Sequence, residues 1–450
     1  MSDSDGKNME GRFEAAYIVD LVRLILERLS FVDFHRARCV SSTWYVASKS
    51  VIGVTNPTIP WIILFPNKNV ENNGSCKLFD PHENKTYIIR DLGFDMSTSR
   101  CLASSGSWFL MFDHRADFHL LNLFTRERIL LPSLESIDGE RYMRFKRPIS
   151  GSHIEIDKAV LWVDDKSRDY FVFCNLSSYV AYHHKRGDDN NSWKVLQPIK
   201  HQGCVDMVFK ESKLYMISAH QCLTVFDFSG GVSPVEMECA SFGSSVCVNR
   251  FHMKYFSNLA VTLSGEVLII VGGKMDSSPE AKCVFTVNKM DPKSSEFTVL
   301  IKSIGDEALL LDLGITVPAK DGVMRDCIYF SNDQYHRCCG ISLRDGYNAD
   351  RICVYQIGSD YVVQEFEHLT TSSTKLFKDA RWFFPTFGDK CCFHLWILHP
   401  VILQAKKLQK SNLKGTKPVT REKTTIVNNV DGTTTQGEKT TKGKNMIGKK

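Results

Sequence analysis

The sequence predicts an α+β chain in several parts: a short three-helix domain, a long mostly-β domain and an unstructured basic tail. Residues 17–50 concentrate apolar side chains at helical spacing between polar breaks. From Trp61 to about residue 400 the texture changes to short apolar runs separated by turn residues, with almost no helical period. After Val401 apolar residues thin out and Thr, Lys, Gly and Asn dominate. Residues 401–450 therefore cannot bury enough apolar surface to offset the entropy of ordering them.

Residues 1–16 are polar and read as disordered. In the first helix, Ile18, Val19, Leu21, Val22, Leu24, Ile25, Leu26 and Leu29 make the surface hydrophobic nearly all the way round, the mark of a helix buried on every side. Asp20 reads as its cap, Ser30 breaks the pattern, and Asp33 opens a second helix with Phe34, Ala37 and Val40 on one side. Ser41 or Ser42 caps a third helix carrying Trp44, Val46 and Ala47. So short a unit rarely assembles a sufficient core alone. Part of its apolar surface must be covered by the downstream domain or by another chain.

The run DLVRLILERLSFVDFHRARCVSSTWYVASK resembles an F-box, the adaptor-binding module of SCF-type ubiquitin ligases. The matching pieces are D-L-x-x-x-I-L-x-R-L, then D-F-x-R-A-R-C-V, then Trp44. The family usually opens with Leu-Pro; here Tyr17-Ile18 stands in that place, without the fixed turn that proline imposes. The resemblance implies that Ile18, Leu21, Val22, Ile25, Leu26, Leu29, Phe34, Val40 and Trp44 bind a Skp-family adaptor and, through it, a cullin. The alternative is a helical cap packed on its own chain.

VIGVTNPTIP (51–60), with Pro57 and Pro60, reads as a linker. Strands are predicted at WIILF (61–65), TYIIR (86–90), WFLMF (108–112), AVLWV (159–163), YFVFC (170–174), KLYMIS (213–218), LTVFDF (223–228), EVLIIVG (266–272), CIYF (327–330), ICVYQI (352–357) and YVVQEF (361–366). Strand–turn–strand units recur, as in LFDPHENKTYII (78–89) and LLNLFTRERILLP (120–132), with similar junctions near Asn175, Asp227, Asp291 and Gly358. Their spacing of roughly 40 to 65 residues is close to the blade period of a β-propeller. Six blades fit best and seven are compatible; a β-sandwich pair or an open barrel is the alternative. Radial repetition leaves few free sheet edges. GDEALLLDLGITVPAKDG (305–322), DCIYFSND (326–333), ICVYQIG (352–358) and ARWFFPTF (380–387) are similar to the closing part of the KIB-type β-propeller, which follows the F-box in a large plant group. That resemblance extends the propeller over 61–400.

The composition, 43 % hydrophobic and 24 % charged, is that of a globular protein. No apolar run reaches the ~18 residues of a membrane span, so no membrane partner is expected. The start MSDSDGKNMEGRFE has no apolar segment of a signal peptide, which points to the cytoplasm or nucleus. There the fifteen cysteines read as reduced, mostly buried thiols, and the adjacent pairs Cys338-Cys339 and Cys391-Cys392 suit no tetrahedral metal. Residues 405–450 hold twelve Lys or Arg against three acids, leaving the rest at −4 with 44 basic against 48 acidic residues. The net +5 is therefore a property of the tail, and any nucleic-acid contact is confined to it.

No phosphate-loop, dinucleotide-loop, H-E-x-x-H or G-x-S-x-G pattern is present, and no cofactor or metal is expected. Gly272-Gly273-Lys274 reads as a strand-end turn, and Asp164-Asp165 and Asp188-Asp189 as solvated turns. His183 and His184 would point to opposite faces of a strand, a poor chelate. The F-box resemblance implies a non-catalytic receptor whose propeller loops hold a protein substrate. The loops richest in contact-forming residue types are His114-Arg115, Tyr182-His183 through Arg186, and Tyr335-His336-Arg337.

Overall fold

The computed structural model describes residues 18–51, 59–66, 74–137, 156–196, 204–241, 255–331, 352–386 and 399–400, apart from short breaks inside these ranges. Residues 1–17 and 401–450 lie outside them, as do the two adjacent cysteine pairs.

Helix α1 spans residues 18–26. Asp20 lies inside it and is not its cap, because Ile18 and Val19 already continue the apolar pattern; its carboxylate faces Arg23, which also faces Glu27 at 3.6 Å. Helix α2 (Phe31–Ala37) is capped by Ser30, so Asp33 falls in its first turn and does not open it. The Ser30 hydroxyl accepts from the Asp33 amide (3.3 Å) and donates to the Asp33 carboxylate (3.0 Å), a reciprocal closure of the turn. Helix α3 (Ser42–Lys49) is capped by Ser41, which accepts from the Trp44 amide. The three helices share a small core of Val22, Leu26, Phe34, Ala47 and Val51. Val51 therefore belongs to the helical domain, although the sequence placed it in the linker; residues 52–58 lie outside the described set.

The β domain is a ring of antiparallel sheets. The first contains, in order, Phe377–Phe383, Trp61–Pro66, Cys76–Asp80, Lys85–Ile89 and His399–Pro400. Three sheets follow in sequence order, beginning with Arg100–Ser105, Lys158–Val163 and Cys204–Lys210. A nine-stranded sheet completes the set and divides naturally. Its half beginning with Tyr255–Val261 meets the hairpin Glu307–Leu310/Ile315–Pro318 at a single parallel pair, Val261 with Ile315. The hairpin meets Cys327–Phe330 at two parallel pairs. Among the described residues the ring thus has six radial sheets with one hairpin wedged between the fifth and sixth, a propeller arrangement.

Closure comes from chain ends far apart in sequence. Trp61 pairs with Phe383, Ile62 with Trp382 and Ile63 with Arg381, so the last inner strand joins the first sheet. That strand also lies beside both Arg100–Ser105 and Cys327–Phe330. Apolar side chains fill the space between successive sheets. Trp108, Phe118 and Trp193 lie between the second and third, and Phe173, Phe209 and Phe226 between the third and fourth. Ile62, Tyr329 and Trp382 lie between the sixth and the first. Gly272-Gly273-Lys274 lies within the strand Val267–Lys274 and is not a turn after it.

Buried carboxylates staple the seams. Asp206 accepts from the Leu259 amide (2.8 Å) and the Asn258 side chain, and pairs with Lys158 at 2.8 Å, joining three consecutive sheets. Asp312 accepts from the Ser331 amide and hydroxyl and from the Trp382 amide (3.1 Å), joining the hairpin region to the sixth and first sheets. Burial pushes the Asp312 carboxyl up, and these donors oppose that shift. Gly314 has φ +66° and packs the hairpin turn against the fourth and fifth sheets; a Cβ there would lie 2.3 Å from a Val208 methyl and 2.8 Å from the Leu259 carbonyl oxygen.

The helical domain sits on the first sheet through α2. Val32 enters the core formed by Trp61, Ile63, Tyr87 and Phe109. The Phe31 ring meets Trp61 edge-on at 5.7 Å, and Trp61 stacks on Tyr87 at 5.6 Å. The buried His35 ring lies 4.7 Å from Phe31 and 5.2 Å from Phe34. Burial, and secondarily the Arg38 charge, lower its pKa to about 3.

Asp312→Ala leaves two buried amides without an acceptor and is expected to lower unfolding free energy by about 2–4 kcal/mol, read from urea midpoints at constant slope; Gly314→Ala is expected to destabilise in the same assay. His35 stays neutral when folded but takes a proton near its ordinary pKa when unfolded. Its stabilising contribution is therefore complete above pH 6.5 and is lost as pH falls toward about 3. Between those limits the wild type should lose about 1.4 kcal/mol per pH unit relative to His35→Leu, measured by urea unfolding at pH 7.0, 6.0 and 5.0.

Candidate adaptor-docking site

Helix α1 carries two apolar stripes. Val22, Leu26 and Leu29, at i, i+4 and i+7, face the helical core. Ile18, Leu21, Leu24 and Ile25 lie on the neighbouring side and remain 51 %, 46 %, 43 % and 47 % exposed. The third side is polar, where Arg23 bridges Asp20 and Glu27. The inner stripe fills the small core, and among the described residues nothing covers the outer one. Val40, just after α2, and Val46 on α3 are 62 % and 56 % exposed. Near α3, Tyr45 is flanked by the cations of Arg38 (5.2 Å) and Lys49 (4.8 Å).

The nine side chains expected at the adaptor thus divide. Ile18, Leu21, Ile25 and Val40 are open to solvent, Leu29 and Trp44 are half-buried, and Val22, Leu26 and Phe34 lie inside the helical core. The last three cannot touch another chain without the domain opening; they support the strip from beneath. Leu24 and Val46 belong with the exposed set and were not singled out by sequence, because only the position of the core decides which apolar side chains of a helix face outward.

The loop residues expected at a substrate fare differently. Tyr182 and His183 are corrected: they lie in the strand Val180–His184, buried along its whole length, and not in an exposed loop. His183 stacks on Tyr170 at 5.7 Å, and His184 stacks on Phe171 at 5.4 Å on the other face. Arg115 is exposed in a turn whose backbone is held by Asp113, which accepts from the amides of Arg115 (2.8 Å) and Asp117 (3.0 Å). His114, Arg186, Tyr335, His336 and Arg337 lie outside the described residues. Trp162, within the predicted strand AVLWV, is 37 % exposed, its ring 5.9 Å from Phe171 and 6.2 Å from Phe209. Among the described residues no three His, Cys, Asp or Glu side chains are grouped as a metal site, and no helix is long and apolar enough to cross a membrane.

Known proteins share both parts. Residues 19–53 match the F-box domain, and residues 78–356 match the family described as KIB1-4 beta-propeller. The chain is 60 % identical over 410 residues to the F-box protein KIB4 of Arabidopsis thaliana, covering 86 % of this chain and all of that one. It is 57 % identical over 405 residues to the F-box/kelch-repeat protein KIB1 of the same plant, covering 88 % of this chain and 98 % of that one. It is also 57 % identical to the F-box protein KIB2, with 88 % and 89 % covered. With an outward apolar strip on three N-terminal helices and a closed ring of sheets behind them, the chain belongs to the plant F-box proteins that carry a KIB-type β-propeller.

Proposed function

We propose that this protein is the substrate-recognition subunit of an SCF-type ubiquitin ligase. Its α1 strip docks on a Skp-family adaptor and, through it, a cullin, while the propeller holds a target protein. The observation that carries this reading is the exposed stripe Ile18, Leu21, Leu24 and Ile25 on a helix whose other apolar stripe is already buried. Together these four side chains leave roughly 300 Å² of apolar area in water, on the order of 8 kcal/mol gross if covered, and a contiguous patch of that size usually marks an interaction site. Part of the gain is offset by the rigid-body freedom lost on association.

F-box proteins of this type are typically non-catalytic adaptors. In the proposed complex, a conjugating enzyme recruited elsewhere transfers ubiquitin, and this chain supplies placement. Holding target and enzyme in one assembly raises the effective concentration of the acceptor lysine at the reactive thioester. The capping alternative draws on the contact of α2 with the first sheet. It accounts for Phe31 and Val32 and leaves the α1 strip unexplained.

The test is co-expression of the full chain with a Skp-family adaptor. Leu21→Asp and Ile25→Asp are each expected to weaken adaptor binding about 100-fold, or roughly 3 kcal/mol, with the urea midpoint unchanged. Leu26→Asp, in contrast, should unfold the helical domain. Full adaptor binding by both surface variants would overturn the proposal.

A further inference from the structure

We infer that α2 is a rigid coupler, with Phe31 and Val32 as positioning residues that hold the docking strip of α1 at one fixed angle to the propeller ring. The seven residues of α2 have side chains in two separate cores. Phe34 is fully buried in the helical core with Val22 and Leu26. Val32, on another side of the same two turns, is 1 % exposed in the core of the first sheet with Trp61, Ile63 and Tyr87. The short, hydrogen-bonded helix cannot rotate relative to either body without withdrawing one of these side chains.

Three further contacts act in the same direction. His35 lies against both Phe31 on the ring side and Phe34 on the helical side. Trp61, which receives the Phe31 edge, is itself fixed by stacking on Tyr87 and by pairing with Phe383. At the rim, Lys85 bonds to Glu83 at 2.6 Å and also senses the Asp33 charge of α2; both raise its pKa, the Glu83 bond more strongly. Both ends of the connection are anchored as well. Val51 lies in the helical core, and Ile59 packs in the seam between the sixth and first sheets. Domains joined only by a linker reorient freely unless an apolar interface couples them, and α2 provides that interface. Its bearing on ubiquitin transfer rests on the docking proposal above, since only then does the angle set where a bound target stands. The mechanical coupling is independent of it.

The experiment uses the full-length chain and has two arms. In the first, without adaptor, amide exchange is followed by mass spectrometry across a urea series. In the wild type, residues 18–51 and the strands Trp61–Pro66 and Lys85–Ile89 should open together. In the Phe31→Ala/Val32→Ala variant, the helical amides should exchange at least tenfold faster than those strands, in a separate step, while Phe31→Leu restores joint opening. Independent opening in the wild type, or joint opening in the double variant, would overturn the coupling. In the second arm, with a Skp-family adaptor, the double variant should keep its affinity within twofold while small-angle scattering of the complex shows a broader distance distribution. An unchanged scattering profile would overturn the positioning role. If the wild type does not bind adaptor at all, the docking proposal fails and the first arm still decides the coupling.

Discussion

The antiparallel pairing of Trp61–Pro66 with Phe377–Phe383 is the contact on which the rest of the structure depends. It joins residues more than three hundred positions apart, so it is entropically the most demanding pairing in the fold. In return it covers the inner edge of Trp61–Pro66 and gives the strand Phe377–Phe383 its partner. It also directs Ile62 and Ile63 into different cores, one against the sixth sheet and one against the second. Finally it immobilises Trp61 at the end of its strand, where α2 lands. Ring closure and the seating of the helical domain are thus consequences of one strand pair.

The helical domain illustrates a limit set by size. A core of five buried side chains holds one stripe of α1, Phe34 of α2, and Ala47 and Val51 in and just after α3. The remaining apolar groups divide by geometry. Phe31 and Val32 reach the first sheet, while Ile18, Leu21, Leu24 and Ile25 face away from it into water. Docking on the ring and presenting a surface to a partner are therefore complementary uses of different sides of the domain. The cap and the adaptor site that the sequence posed as alternatives are compatible in this geometry, because α2 meets the first sheet while the proposed docking strip lies on α1.

Much of the strand architecture was legible because the propeller buries both faces of its inner strands. WIILF and CIYF are uniform apolar runs, and each is buried along its whole length. Local chemistry also narrowed the cap of the third helix to Ser41 or Ser42, and Ser41 takes it, its hydroxyl accepting from the Trp44 amide. The outward side of α1 was not legible, because its two adjacent apolar stripes carry no mark of which one the neighbouring helices take. Tyr182 and His183 misled for a related reason. They precede the polar run KRGDD, yet the flat rings of Tyr170 and Trp193 cover the His183 imidazole inside the sheet stack. The double role of α2 was hidden too, since Trp61, the partner that decides it, lies thirty residues beyond Phe31.

The abundance of acidic residues in a chain without catalytic motifs has a structural explanation in the turns. Asp80 accepts from the amides of His82 and Glu83, Asp113 from those of Arg115 and Asp117, and Asp164 from those of Lys166 and Ser167. Asn122 holds the amides of Phe124 and Thr125 in the same way. In each case a residue at or just past a strand end turns its side-chain oxygen back onto the amides that follow, so the turn is set without help from the rest of the ring. The hydroxyl of Ser167 holds the Asp164 carboxyl below its ordinary range, aided by the Lys166 amide. The Asp164 carboxylate is thereby a poor proton acceptor and a good structural pin, whereas burial pushes the Asp80 carboxyl up despite the same two kinds of amide contact. Pinning of this kind fixes the backbone of these four turns, the property a receptor needs when its contribution to a reaction is the placement of another protein.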